Sequence, residues 1–412
     1  MKLAPLLSAA WLAVAAMPGA AEVIERQQSV RPLPGGLDSV LMVNDNNPEL
    51  IEDDGILIST FPDGEAASVP VVLNGRFDLF SHHVYAGDAE GSPSSTLWLA
   101  VLAAPLGNAP VTLQLLSGST SLSQATGPGQ TQAPFLPLPS LMPETTDVVA
   151  SGPGSRVAGD LLAGRRAAEL TNRRWTLAPG APTQLLLLPI PVAGLDPLLN
   201  GRNLQLRFHS SGPVALATLA AHGEDGKAPS EQHWLQLLKD QRMSSKEHQP
   251  TPRGSKGKII YSRVSGVQIG SSWRARITDP DSPVLAAPTV PISWPISSLE
   301  RGTLATKQVQ TAELKSFYPG TAWAAHGNYG VEYDLTLPLK NTGAAAVTLQ
   351  LSLDSPLKGN STTSLLRFRD DLNGPVMFRG PVQTTGLEDS EGVSKGRQTQ
   401  HLVLRQGQQG PS

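Results

Sequence analysis

The segment Gly392-Val393-Ser394-Lys395-Gly396 matches the G-x-S-x-G pattern of serine nucleophiles. That chemistry needs a sharp strand-to-helix turn that exposes the hydroxyl, together with a histidine base. The surrounding sequence is polar and shows no helical pattern after the serine. We therefore predict a surface loop rather than a catalytic elbow.

His82 and His83 form the only adjacent pair among the eight histidines. Neighbouring residues on a strand point to opposite faces, so the two rings are poorly placed to bind one metal ion. Zinc requires three or four converging ligands, and no other histidine has a suitable spacing. The sequence favours one buried, hydrogen-bonded histidine and one exposed histidine over a metal site.

Oxygen-bearing side chains are concentrated between Asn44 and Glu49 and between Glu52 and Gly55. Calcium binds six to eight such oxygens, but the spacing is not that of an EF-hand loop. Asn and Asp also favour turns through local hydrogen bonds. We predict a structural loop between strands at Val40–Val43 and Ile56–Thr60, with calcium binding as an open alternative.

The tryptophans are spread singly along the chain, and they could supply a platform on which sugars stack. Their scatter favours packing in the core or at sheet edges instead; the residues in question are Trp98, Trp175, Trp234, Trp273, Trp294 and Trp323. No phosphate-binding loop or dinucleotide fingerprint is present. From the sequence we assign no catalytic, cofactor-binding or metal-binding residue.

The amino-acid composition argues against a nucleic-acid-binding protein and favours a β-rich fold. The chain has 32 basic and 35 acidic residues, a formal net charge of -3, and lacks the basic footprint of a nucleic-acid binder. The best basic cluster, Arg253 to Lys258, lies among Gly, Ser and Pro and reads as a solvated linker. The 36 prolines and 39 glycines favour short strands joined by turns over a helical protein.

The first 21 residues have the pattern of an export signal, because a basic start is followed by an apolar run and then small residues. The alternative, a membrane anchor, needs about 20 apolar residues, and this run is shorter. We expect cleavage at Ala21 or nearby. The chain has no cysteine, which excludes disulfides and a lipid anchor on cysteine. These features predict a periplasmic or extracellular protein with no transmembrane segment after cleavage.

Two ungapped segments of equal length resemble each other: Leu99 to Leu115 and Leu335 to Leu351 both end in Val-Thr-Leu-Gln-Leu. Each reads as a strand, a glycine-containing turn and a strand, so we predict two hairpins related by duplication. Convergence is the open alternative, because turns flanked by alternating residues recur in unrelated β proteins. The whole chain then divides into two antiparallel β-sandwich-like units with long loops and a few short helices. In numbers, the division is 1–21 signal peptide, 22–36 polar lead-in, 37–225 first unit with a long loop or linker at 117–155, 226–258 polar linker with a short helix, and 259–412 second unit.

Further local patterns refine this architecture. A helix is predicted at Asp160 to Glu169, and another after Ser230 as N-cap. Hairpins are predicted around the turns Ser210 to Pro213 and Asp370 to Pro375. His401 to Leu404 is the last strand-like run, and we predict that it forms an open edge because no closing strand follows.

Several stretches resemble a cyanobacterial family of secreted proteins known only as a domain of unknown function, DUF3370. They are Arg31 to Gly35, Asn47 to Glu49, Gly55 to Thr60, Gly75 to His83, Pro319 to Trp323 and His326 to Val331. The resemblance runs from about residue 30 to the end of the chain, and relatives are expected to continue past Gln406 to Gly410. It implies an envelope setting but no activity.

Taken together, these observations predict a non-enzymatic binding or structural component of the cell envelope. Envelope polysaccharide or another envelope protein is the expected partner, with no nucleic acid and no cofactor. The alternative from another class is an envelope glycan hydrolase, which would need two carboxylates in one cleft at a separation of about 5 to 9.5 Å.

Overall fold

A computed structural model describes residues 22–62, 67–87, 95–124, 141–143, 155–223, 227–260, 262–325, 327–359, 361–389 and 391–410. The predicted export signal, residues 1–21, lies outside these ranges, as does His326. No helix within the described ranges has the length and apolar character needed to cross a membrane.

The fold is mainly β, as predicted. The strands are β1 Val23–Gln27, β2 Ser29–Val30, β3 Gly36–Leu37, β4 Leu41–Leu50, β5 Gly55–Ser59, β6 Leu73–Ala86, β7 Thr96–Pro105, β8 Val111–Leu122, β9 Leu141–Pro143, β10 Arg174–Leu177, β11 Thr183–Pro191, β12 Leu199–His222, β13 Val264–Ile269, β14 Ser272–Arg276, β15 Leu285–Ala286, β16 Ile292–Ser293, β17 Leu314–Phe317, β18 Glu332–Thr336, β19 Leu339–Lys340, β20 Leu365–Arg369, β21 Val376–Thr384 and β22 Gln398–Arg405. The helices are α1 Ser155–Leu162 and α2 Glu231–Lys239.

A ten-stranded sheet dominates the molecule. Its main path runs β10-β8-β12-β6-β4-β13-β17, and β5, β7 and β11 join it beside this path. Antiparallel pairing prevails, as predicted, but β4 lies parallel to β6, and three short pairs in other sheets are also parallel. Strands β13 and β17 come from the predicted second unit. The division of the chain into two units remains a prediction. The hydrogen bonds of this sheet nevertheless join strands from both predicted units.

Strand β12 builds the core because its two halves pair with different neighbours. The half from Leu199 to Ser210 pairs with β6 and β8, whereas the half from Val214 to His222 pairs with β5 and β7. The predicted hairpin at Ser210 to Pro213 is therefore wrong, since the register shift there bends one continuous strand. Glycine and proline mark a bend as readily as a turn, and only the partner strands decide which one forms.

Alternation along β12 creates two apolar clusters, because successive side chains point to opposite faces. Leu216 and Ala220 face a large core that also takes Leu204 and Leu206 from the first half of the strand. Ala217, Leu219 and Ala221 face a smaller cluster closed by Trp234 and Leu237 of α2. As predicted, α2 begins after Ser230, whose side chain accepts a hydrogen bond from the His233 amide.

Strand β4 overturns the predicted loop at Asn44 to Glu49. Asn44 to Asn46 pair with β6 on one side and β13 on the other, and Asn44, Asp45, Asn46 and Asn47 are buried. Turn chemistry persists at Asn47, whose Oδ1 accepts from the Glu49 amide where the register with β6 shifts. At Asn44 to Asn46, neighbouring strands and side chains offer hydrogen-bond partners inside the sheet instead. An example is the Asn44 amide, which donates to Gln268 Oε1 at 2.6 Å.

The two repeated segments do not fold alike. In the first, strands β7 and β8 form as predicted, but both pair with β12, and within the described residues they are not paired with each other. In the second, β18 and β19 form, whereas Val347 to Leu351 is exposed and outside any strand. The second hairpin is therefore wrong, and the shared sequence reflects strand and turn chemistry without a shared fold.

The predicted open edge at His401 to Leu404 is covered in part. His401 and Leu402 of β22 are paired on both sides, with β21 and with β9, which lies within the predicted long loop at 117–155, whereas Val403 and Leu404 pair with β21 alone. Strands β20 and β21 flank the turn predicted as a hairpin, but β20 pairs with β1 instead. Helix α1 begins earlier than predicted and ends at Leu162, before Gly164 adopts a φ of +68°.

Candidate functional site

The adjacent histidines of β6 are both buried, so the prediction of one exposed ring is wrong. His82 Nδ1 lies 2.8 Å from Asn203 Oδ1, and His83 Nε2 lies 2.9 Å from Asp45 Oδ2. Burial, followed by the neighbouring His83, lowers the pKa of His82 to about 4, although its hydrogen bond with Asn203 opposes this shift. His82 is therefore neutral at ordinary pH and donates from Nδ1.

Asp45 is the centre of a buried polar network on the core side of β4. Its Oδ2 accepts hydrogen bonds from His83 and from Thr218 Oγ1, which brings β4, β6 and β12 together. Burial lowers the pKa of the nearby Arg263, and the charge of Asp45 opposes this shift. Arg263 Nη1 donates to Ser244 O at 2.9 Å. Because these groups are enclosed, the network stabilises the fold and cannot reach a substrate.

Acidic residues at the end of β4 and just after it hold a distant segment of the chain. Glu49 Oε1 accepts from the His248 amide at 3.1 Å, and Asp53 Oδ1 accepts from the Ser245 amide at 2.8 Å. These carboxylates, which were candidates for calcium, therefore hold the segment 244–248 against β4 and β5. In the part of the chain that is described, no group of three or more His, Asp and Glu is arranged to hold a metal ion.

Asp54 joins two histidines in a cluster that is partly open to solvent. His222 Nδ1 lies 2.8 Å from Asp54 Oδ1, and His233 Nε2 lies 3.6 Å from Asp54 Oδ2. Burial raises the pKa of Asp54, but hydrogen bonds from His222 and the charges of both histidines outweigh it and lower the pKa. The His222 amide also donates to Asp54 Oδ1 at 2.9 Å, so the backbone and the ring of His222 both hold this carboxylate.

A second cluster, the Trp323 patch, combines the exposed Arg253 and Gln249 with the half-buried Trp323 and Lys246. The Arg253 guanidinium lies 5.0 Å from the centroid of the half-buried Trp323 ring. This distance is within the range of a cation–π contact. Arg253 thus belongs to a defined surface and not only to the solvated linker predicted for Arg253 to Lys258.

The turn that precedes Trp323 positions this patch. Thr321 N donates to Tyr318 O at 3.1 Å, and Ala322 N donates to Arg263 O at 2.8 Å. Gly320 has a φ of +75°, and a Cβ there would lie 3.3 Å from Lys246 Nζ and 3.2 Å from Gln249 Oε1. Glycine therefore allows Lys246 and Gln249 to approach the turn beside Trp323.

The remaining sequence candidates have structural roles. Gly392 to Gly396 forms an exposed loop, as predicted, and is followed by strand β22. Asp389 Oδ1 accepts from the Val393 amide at 2.9 Å and closes the turn. Trp175, Trp234 and Trp273 are buried, in keeping with the packing role predicted for the tryptophans.

A family model described as a protein of unknown function (DUF3370) matches residues 28–412. The chain belongs to this family. No curated protein and no solved structure matches the DUF3370 chain. The description of the family names no activity, so only the side chains of this DUF3370 member indicate its chemistry.

Sequence reasoning missed both exposed clusters of the DUF3370 chain. Asp54 and His222 are 168 residues apart, and no local spacing joins them. Arg253 and Trp323 each stand out in the sequence, but they lie in separate segments and no local pattern joins them. The available signal was a tryptophan just after a Pro-Gly turn, a place where side chains lie at the surface.

Proposed function

We propose that the protein is an exported, non-enzymatic component of a cyanobacterial cell envelope, and that it binds an acidic envelope polysaccharide at the Trp323 patch. The proposal depends on one observation, the Arg253 guanidinium 5.0 Å from the centroid of the Trp323 ring at the surface. The export pattern of residues 1–21 and the resemblance to secreted relatives support the location.

The chemistry of the patch suits a charged sugar. An aromatic ring offers a flat apolar face, and guanidinium and ammonium groups form charge-assisted hydrogen bonds with carboxylate or sulfate. Glu247, the acidic neighbour of Lys246, has its carboxylate 3.7 Å from His248 Nδ1. The exposed Lys256 and Lys258 add positive charge to the loop that carries Arg253.

The hydrolase alternative would use carboxylates that face one open pocket. Asp45 and Asp78 are fully buried, and Asp53 accepts hydrogen bonds from Ser245. Asp54 accepts from His222, so these side chains already have structural partners. This favours binding over hydrolysis, and the binding assay below includes the release of reducing ends as a direct test of the alternative.

Location is tested by fractionating cells that express the C-terminally tagged full chain. We expect the protein in the periplasmic or medium fraction, shortened by removal of the signal. L12R, which places a charge in the apolar run, should hold the chain in the cytoplasm, and E22Q is the control. Cytoplasmic wild-type protein would refute the proposal.

Binding is tested by retention of the purified protein on isolated acidic envelope polysaccharide. We expect R253E to abolish retention and K239E, the same charge change on exposed α2, to preserve it. Retention should fall as salt rises, because exposed charges are screened. Equal retention of R253E and wild type, or release of reducing ends by the wild type, would contradict a non-enzymatic binding role for the patch.

A further inference from the structure

The segment from Leu339 to Leu351 exposes large apolar side chains at an unusual density. Val347 is 54% exposed, Leu349 40% and Leu351 53%, and Leu339 at the start of the segment is 51% exposed. No charged residue occurs between Asn341 and Ser352, although charged residues make up 16% of the chain. Exposed strand-like segments normally carry charges that prevent pairing with other chains.

The backbone of this segment is also available. Within the part of the chain that the structure describes, residues 346–351 form no backbone–backbone hydrogen bond. Unpaired amide and carbonyl groups on a segment with strand-forming side chains provide a template for another strand. Val-Thr-Leu-Gln-Leu has the alternation of a half-buried strand, yet none of the described strands pairs with it at residues 347–351.

Both ends of the segment are held by the fold. Leu339 and Lys340 form β19 against β15, and Asn341 Nδ2 donates to Ala345 O at 2.7 Å across the following turn. At the other end, Ser355 N donates to Gln408 O at 2.9 Å. The segment is therefore presented at the surface between two fixed points.

We propose that Val347 to Leu351 pairs with the same segment of a second copy of the chain, as an antiparallel strand centred on Leu349. The sequence is self-complementary in that register. Val347 then faces Leu351 of the second copy, Thr348 faces Gln350, and Leu349 faces its own counterpart. Apolar residues meet apolar residues and polar residues meet polar ones, as a twofold interface requires.

This interface is small, since a pair of five-residue strands covers far less than the roughly 800 Å² per partner of a standard interface. We therefore expect a reversible dimer that forms as the protein concentration rises. The inference does not depend on the proposed function, because self-association is measured without any polysaccharide.

Sedimentation equilibrium of the full mature chain over a concentration series tests the dimer. We expect the wild type to shift from monomer to dimer and L349K to stay monomeric, because the twofold axis places two lysines opposite each other. V290K is the matched control, since Val290 is 60% exposed at another site, and it should dimerise like the wild type. Circular dichroism and melting temperature verify that the variants fold.

Leu349 would lie on the twofold axis of the proposed dimer, so a second substitution at the same position can restore the dimer. An interface elsewhere on the chain would not respond in this way. An equimolar mixture of L349K and L349E should recover the dimer, because opposite charges then face each other. The chain has no cysteine, so L349C under oxidation should form a covalent dimer while V290C does not. A wild type that is monomeric at every concentration, a dimer that persists in L349K, or a failure of either rescue or cross-linking would overturn the proposal.

Discussion

At the scale of single residues, the most reactive-looking side chains are buried and hydrogen-bonded to neighbouring strands. His82 and His83 are adjacent, yet each is bound to a different strand, one to Asn203 of β12 and the other to Asp45 of β4. Buried polar groups need such partners, because an unpaired one costs about 1–3 kcal/mol. A conspicuous histidine pair is therefore a connection between strands.

The low pKa of His82 makes stability depend on pH. The pKa of His82 is about 4 in the folded chain, against 6.5 for an ordinary histidine, so the unfolded chain binds the extra proton first as pH falls. This contribution is complete above about pH 6.5 and is lost as pH falls toward 4. Relative to H82Q, whose side chain is neutral at every pH, we expect the wild type to lose about 2 kcal/mol of unfolding free energy between pH 7 and pH 5.

Urea denaturation at the two pH values measures this difference. Groups that titrate in both proteins cancel, which isolates the histidine. H209Q is the control, because the His209 ring of β12 is exposed to solvent. Parallel pH profiles for H82Q and wild type would contradict the prediction.

At the scale of elements, close backbone contacts join strand β5 to a segment after α2 that is far away in sequence. Ile56 N donates to Arg242 O at 2.7 Å, and Ser244 N donates to Ile56 O at 3.0 Å. Gly55 permits this approach, since a Cβ there would lie 2.3 Å from Ser244 N and 2.6 Å from Met243 C. Glu49 and Asp53 hold the adjoining residues His248 and Ser245 through hydrogen bonds.

We expect G55A to lower the unfolding free energy by about 1–3 kcal/mol, because the added carbon overlaps backbone that cannot move aside without breaking these bonds. G107A is the matched control, since a Cβ at Gly107 meets no atom within 4 Å. Thermal and urea denaturation of both variants measure the effect. Equal stability of G55A and G107A would show that the contact is not tight in solution.

At the scale of the whole molecule, the large sheet binds the two predicted halves to each other. Strand β13 covers the edge of β4 along six residues, from Val264 opposite Asn46 to Ile269 opposite Leu41. Arg263, just before β13, and Tyr318, just after β17, also approach the polar network of Asp45. Without the second predicted unit, the first unit therefore lacks part of its sheet and core.

A fragment of residues 22–258 retains the first predicted unit and the linker but loses β13 and β17. We expect it to aggregate, or to melt at least about 10 °C below the chain 22–412, because β4 becomes a long unprotected edge. Calorimetry and light scattering on the two chains measure this. A monomeric fragment that melts cooperatively at the full-length temperature would support two independent units instead.

The sequence alone determined what depends on near neighbours. Alternation identified β10 and the half-buried strand around Trp273 and Ala275, a serine followed by an apolar helix face identified α2, and composition identified a mainly β protein. These features need only local hydrogen bonds and side-chain periodicity, which a sequence displays directly.

Only the tertiary structure decided which strands pair and which side chains meet. Ser210 to Pro213 has the chemistry of a turn but bends a continuous strand, because β5, β6, β7 and β8 offer partners on both sides of the bend. Val-Thr-Leu-Gln-Leu is a strand at residues 111–115 and exposed at 347–351, since a strand exists only where a partner supplies its hydrogen bonds. The Trp323 patch and the Asp54 cluster arise in the same way, from segments brought together by long-range packing.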